Sequence, residues 1–186
     1  MANQVEICNV ALNFLGDLSI TSIDDDTTRA RLCKAFWPVV LDYVLREHPW
    51  KCAVIRYSCA LLGAAPLFGF THQYQLPDNC LRVIAFEGEE DDYAWQVEGR
   101  VVVTDYSPCH IIYVARVDDA AELDSMVTMA VAVKLAMFLA HAITDKANLV
   151  EGLENLYKKV LDGARAVNAQ EGSPTAFESN VLVDVR

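Results

Sequence analysis

Residues 126–143 read MVTMAVAVKLAMFLAHAI, and the reading of this stretch decides the fold. A run of this length, mostly apolar, suits either a membrane span or a helix buried in protein. Lys134 stands at its centre and His141 near its end. A central lysine costs about 2.5–3.5 kcal/mol in a bilayer, and an alanine-rich surround offsets little of it. The stretch is therefore expected to be a core helix over about 125–143, capped by Asp124.

Working outward, helical patterns flank it on both sides. Leu149, Leu153, Leu156, Val160, Ala164 and Val167 fall on one stripe and predict a helix over about 146–167. Near the start, Val5, Cys8, Ala11, Leu12 and Leu15 predict a helix over 3–15, with Gly16 as its C-cap. A longer pattern, Ala30, Cys33, Trp37, Leu41, Val44 and Leu45, follows Asp24-Asp25-Asp26. Carboxylates favour a helix N-terminus, and one of the three is expected to cap it. Metal binding by the triplet is the sharper alternative, but no further ligands stand at fixed spacing. Pro38 should kink this helix, and Pro49, after His48, should stop it.

After residue 60 the period changes. Gly63, Pro66 and Gly69 punctuate a loop, and strand-like runs follow at 71–75, 81–86, 93–97, 101–104 and 110–115. Glu98-Gly99 is a hairpin signal, and Glu87–Asp92 an acidic turn. The expected architecture is mainly α: a helical bundle with a small antiparallel β insertion and an extended C-terminal tail. The bundle takes residues 1–60 and 120–168, the β-rich insertion 61–119, and the tail 169–186. The tail carries Gly172, Ser173 and Pro174, then an apolar Val181-Leu182-Val183. Such a segment suits docking on a partner, with Phe177, Val181, Leu182 and Val183 as candidate contacts, or is a frayed terminus.

Composition narrows the classes. The chain has 186 residues, 53% hydrophobic, with a formal net charge of −11. That length predicts one domain with a core large enough to need no disulfide or metal, and that hydrophobicity excludes disorder as the main state. Residues 61–120 hold three basic and ten acidic groups, so the insertion carries most of the excess charge. An acidic surface repels DNA and anionic lipid. No basic run followed by an apolar one opens the chain, so no secretory signal is expected.

Chemistry-bearing motifs are sparse. The six cysteines, Cys8, Cys33, Cys52, Cys59, Cys80 and Cys109, show no zinc or CxxC spacing and are expected to be reduced, buried thiols. His48, His72, His110 and His141 make no ligand motif. Cys80 or Cys109 with a histidine is an imaginable nucleophilic dyad, and Glu89, Glu90, Asp91 and Asp92 an imaginable carboxylate site. The blander expectations are packing thiols and a solvated turn. No catalytic, metal or cofactor-binding residue is expected. The aromatics Phe36, Trp37, Tyr43, Trp50, Tyr57, Phe68, Phe70 and Tyr74 are mostly core, some being candidate interface anchors.

An ordered string of short motifs carries more. Ala11-Leu12-Asn13-Phe14-Leu15-Gly16 is followed by Ile20-Thr21-Ser22-Ile23-Asp24-Asp25 and Arg29-Ala30-Arg31. Then come Arg46-Glu47-His48-Pro49-Trp50-Lys51-Cys52-Ala53, Phe68-Gly69-Phe70 and Tyr74-Gln75-Leu76-Pro77-Asp78-Asn79-Cys80-Leu81-Arg82-Val83. Val97-Glu98-Gly99-Arg100 and Ile112-Tyr113-Val114-Ala115-Arg116-Val117 complete it. Over residues 3–165 the chain resembles the tail tubular protein A family of short-tailed phages, the head-to-tail adaptors. It is also similar to the packaged-DNA stabilisation proteins of related phages. The HPW segment (48–50) and the YQLPDNCLRV segment (74–83) are the most specific parts.

The resemblance implies a structural virion protein, not an enzyme. It would assemble in the host cytoplasm as a ring, a dodecamer, under the portal. It would connect the tail nozzle and continue the DNA channel, so that DNA passes through non-specifically. The C-terminal segment would grip the portal, and the insertion would face tail components or neighbouring subunits. The free chain would be a monomer, with no cofactor and no membrane. Three alternatives stand beside this: a connector or head-completion protein of a long-tailed phage, an intracellular thiol enzyme, and a host regulatory binding module.

Overall fold

The computed structural model describes residues 2–87, 94–144 and 147–172. In chain order the helices are α1 (Gln4–Leu15), α2 (Thr28–Glu47), α3 (Ser125–Ile143) and α4 (Ala147–Gln170). Between α2 and α3 lie the strands β1 (Val54–Ser58), β2 (Ala60–Leu61), β3 (His72–Gln75), β4 (Cys80–Glu87), β5 (Trp95–Glu98), β6 (Val101–Thr104) and β7 (His110–Ala115).

The helix ends follow local chemistry. Asn3 and Glu6 form a reciprocal capping box, each side chain accepting the other's backbone N–H at 2.9 Å. Gly16 closes α1 in the left-handed region at φ 72°, where a Cβ would be strained. Asp124 caps α3, accepting from the Met126 N–H at 2.8 Å. The cap of α2 is Thr27, which accepts from the Ala30 N–H, and not one of the aspartates expected there. Those aspartates work separately. Asp24 pairs with Lys34, Asp26 with Arg31, and Asp25 accepts from the Ser22 and Thr21 backbones, which hold its carboxyl below the usual range.

The α-bundle expectation is corrected. The protein is 50% helical and 20% strand, a mixed α/β fold with two antiparallel sheets of three and four strands among the described residues. One sheet has the order β1-β7-β4 and the other β2-β3-β6-β5. The expectation missed β1, which lies in a stretch read as the end of the helical part. Residues 54–58 pair in unbroken register with 110–114, Val54 opposite Val114 and Ser58 opposite His110. Their partner strand is remote in sequence, so no local period announces it. The three-stranded sheet is also part of the main core. Val114 is fully buried in one cluster with Trp50, Ala53 and the helices, and β4 and β7 both contact α2.

α3 is the central element of that core. Val127, Val131, Leu135 and Leu139 are all but fully buried, and α1, α2 and α4 pack around them. It is the one described helix long and apolar enough to cross a membrane, with a mean hydropathy of 1.9, and half of its apolar window is buried in protein. Among the described residues no carboxylate pairs with Lys134, which is accommodated by aromatic rings. Its Nζ lies 4.1 Å from the Tyr43 ring centroid and 4.7 Å from that of Tyr157. Aromatic faces stabilise a half-buried ammonium by about 0.5–2 kcal/mol each, which explains how a lysine sits in an apolar helix.

A second cluster fills the seam between the sheets. Tyr74 and Val102 come from the four-stranded sheet, Cys80, Ile111 and Tyr113 from the three-stranded one, and Cys59 and Cys109 from the crossings between them.

Candidate interaction surface

The two most specific motif segments form structural corners. At the end of α2, Trp50 is buried and donates its indole N–H to the Val44 carbonyl at 2.8 Å. His48 packs edge-on against it, with ring centroids 4.6 Å apart. Asn168, near the end of α4, accepts the Lys51 N–H at 2.8 Å and places its Nδ2 3.1 Å from His48 Nε2. Glu47 accepts the Tyr157 hydroxyl at 2.6 Å and pairs with Arg165 at 3.6 Å. Burial and then Glu47 push the Tyr157 phenol well above its ordinary value. Burial pushes His48 below the usual imidazole range, helped by the Arg165, Arg82 and Lys51 charges.

The 74–83 segment carries the chain from the four-stranded to the three-stranded sheet. The Cys80 N–H donates to the Pro77 carbonyl at 3.0 Å and closes the turn. Arg100 donates to the carbonyls of Pro77 and Cys80, the Arg116 N–H to that of Asn79, and Arg46 to that of Leu81. Pro77 and Asn79 precede β4, and its register shifts between Cys80 and Arg82, so the Arg100 and Arg46 side chains and the Arg116 backbone N–H supply donors to this stretch.

Apolar groups that the fold leaves in solvent are the candidate contacts. The loop between β2 and β3 presents Leu67 at 98% and Phe68 at 87% exposure. Gly69, at φ 91°, turns the chain directly after them. On α2, Val39 and Tyr43 are exposed at 56% and 47%. Four residues apart, with Ala35 a turn earlier, they form one stripe. β1 is an edge strand and exposes Ile55 and Tyr57.

The other candidates are placed as follows. Phe177, Val181, Leu182 and Val183 lie outside the described residues, as do Glu89, Glu90, Asp91 and Asp92. Cys80 and Cys109 are buried in the sheet seam. Burial pushes the Cys80 thiol up, and the Cys59 thiol does so first of all for Cys109, so both are held protonated. A nucleophilic dyad needs the reverse. Among the described residues, no three His, Cys, Asp or Glu side chains converge as a metal site would. A cleft of about 590 Å³ between the α3 start and the α4 end is lined by Cys52, Asp119, Glu122, Asp124 and Glu171. Two of its acids are already used, Asp119 on the Ala121 N–H and Asp124 on that of Met126.

Sequence reasoning grouped Phe68 with the core aromatics and gave Leu67 no role. The available signal was their position, directly after Pro66 and between Gly63 and Gly69, where no period of 2 or 3.6 pulls them inward. No protein-family model matches the chain, and no curated protein matches it.

Proposed function

We propose that the protein is a head-to-tail adaptor of a phage virion, assembling as a dodecameric ring under the portal, connecting the tail nozzle and continuing the DNA channel. The ordered motif string over residues 3–165, resembling the tail tubular protein A family, carries this reading. The corners at 46–53 and 74–83 give those motifs a physical reason, because each is a junction between elements held by its own hydrogen bonds.

Two further features support it. Ring subunits need heterologous contacts, in which one surface meets a different one on the next copy. The Leu67–Phe68 loop and the Val39–Tyr43 stripe are two such surfaces, one on a sheet hairpin and one on a helix. The net charge of −11 suits a conduit that lets DNA pass without holding it. Phe177, Val181, Leu182 and Val183 are proposed to dock on the portal. The thiol-enzyme alternative draws no support from Cys80 and Cys109, whose thiols are held protonated.

Native mass spectrometry of the protein alone, then mixed with the portal of the same genome, tests the proposal. The expected result is a free monomer and a ring of copies on each portal. A stable monomer or dimer that ignores the portal would remove it.

A further inference from the structure

We propose that Cys59 and Cys109 are a redox pair, two thiols placed to close a disulfide across the seam between the sheets. Cys59 is the one residue separating β1 from β2, where the chain leaves the three-stranded sheet for the four-stranded one. Cys109 directly precedes β7, on the return crossing. The β1–β7 register, with Ser58 opposite His110, sets residue 59 opposite residue 109. The Cys59 N–H donates to the Cys109 carbonyl at 2.9 Å, so the pairing continues past the ladder's end.

That bond makes 59 and 109 a hydrogen-bonded facing pair, whose Cα atoms stand about 5.5 Å apart. A disulfide spans about 4.4–6.8 Å. Facing side chains also leave the ladder on the same side, and here both enter the buried seam cluster and hydrogen-bond each other. Both are free thiols.

The two are not equivalent. Cys59 retains 8% exposure and Cys109 none. A thiol hydrogen bond joins them. Cys59, the one with residual exposure, is therefore the thiol that an oxidant reaches first, and it attacks as its thiolate. With a small-molecule disulfide as oxidant, its sulfur bonds to one oxidant sulfur and expels the other as a thiolate. Cys109 then gives its proton to that thiolate, and its sulfur displaces the second oxidant thiol, which takes up the proton that Cys59 released. Two protein thiols become one disulfide, and the oxidant disulfide becomes two thiols. Cys8 and Cys33 also share a thiol hydrogen bond, but both are fully buried between α1 and α2 and no ladder sets their backbones opposite each other.

The pairing goes beyond the adaptor reading and does not depend on it. A reducing cytoplasm would keep the thiols apart, and an oxidising surround would pin the sheets together after folding.

The test treats the folded full-length protein with oxidised glutathione at neutral pH, then counts thiols and maps the link without reduction. Two of the six thiols should disappear. Trypsin leaves Cys59 and Cys80 together in fragment 57–82, so chymotrypsin, which cuts after Phe68, Phe70 and Tyr74, must resolve them. The expected link joins the Cys59 and Cys109 peptides. Cys80→Ser should retain the loss of two thiols, and Cys59→Ser should abolish it. Six surviving thiols in the folded wild type after oxidation, or a link from Cys109 to Cys80, would overturn the proposal.

Discussion

Asn168 accepts the Lys51 backbone N–H at 2.8 Å, joining residues 117 apart in sequence. This one amide ties the last turns of α4 to the corner between α2 and β1. Its Nδ2 also faces His48 Nε2 and the Pro49 carbonyl. Asn168→Ala strips the corner of these partners and should cost about 1–3 kcal/mol. Asn168→Asp keeps the acceptor for Lys51 and should lose less. Urea unfolding measures both, and an alanine variant as stable as the parent would mean that solvent replaces the clamp.

His48 gives the fold a pH dependence. Its folded pKa is depressed below the usual 6.5, by burial first and by Arg165, Arg82 and Lys51 after it. The unfolded chain then binds the proton more tightly. Its contribution is fully present above about pH 6.5 and is lost as pH falls towards the folded value. His48→Gln should remove that part of the fall. Unfolding midpoints at about pH 7.5 and about pH 5.5 should drop further for the parent than for the variant. Equal drops would show that His48 does not couple to folding.

Core and surface apolar residues should separate cleanly. Leu139→Ala opens a cavity on the buried face of α3, where the side chain is fully buried, and should cost about 2–5 kcal/mol. Phe68→Ala removes a side chain that touches solvent and should stay within about 0.5 kcal/mol. If the loop is a subunit contact, Phe68→Ala should instead weaken ring formation on the portal. A Phe68→Ala chain that assembles as well as the parent would remove the loop from the interface.

Tyr157→Phe deletes one hydroxyl and leaves Glu47 with Arg165 alone. Glu47 is part-buried and loses a 2.6 Å hydrogen bond, so the cost should be about 1–2 kcal/mol. Tyr157→Phe keeps the ring beside Lys134, so a larger loss would point to the cation–π geometry instead.

Truncation after Gly172 tests the docking tail. On the adaptor reading, portal binding should be lost. Undiminished binding by the truncated chain would rule out Phe177, Val181, Leu182 and Val183 as the grip.

Much of the helical frame was legible. Asp124, Gly16 and the 125–143 stripe act through neighbours within one or two turns, so their meaning is written locally. Short runs rich in β-branched residues were legible too, such as 101–104 and 110–115. The failure at 54–58 has a specific cause. Ile55 and Tyr57 face solvent on an edge strand, so the apolar pattern there marks neither a helix face nor a buried strand. With β1 and the short β2 both missed, the sheets were read as a small insertion and not as half of a mixed α/β fold.

The sequence by itself determined the helices, the Gly16 and Asp124 caps, the acidic charge of the insertion and the motif string that supports an adaptor. These rest on contacts three or four residues apart or on composition. Only the tertiary structure decided that the sheets are part of the fold's framework, that Lys134 sits among Tyr43 and Tyr157, that Asn168 holds Lys51, and that Cys59 faces Cys109. Each joins residues remote along the chain, and such a contact exists only once strand register and helix packing have brought both ends together.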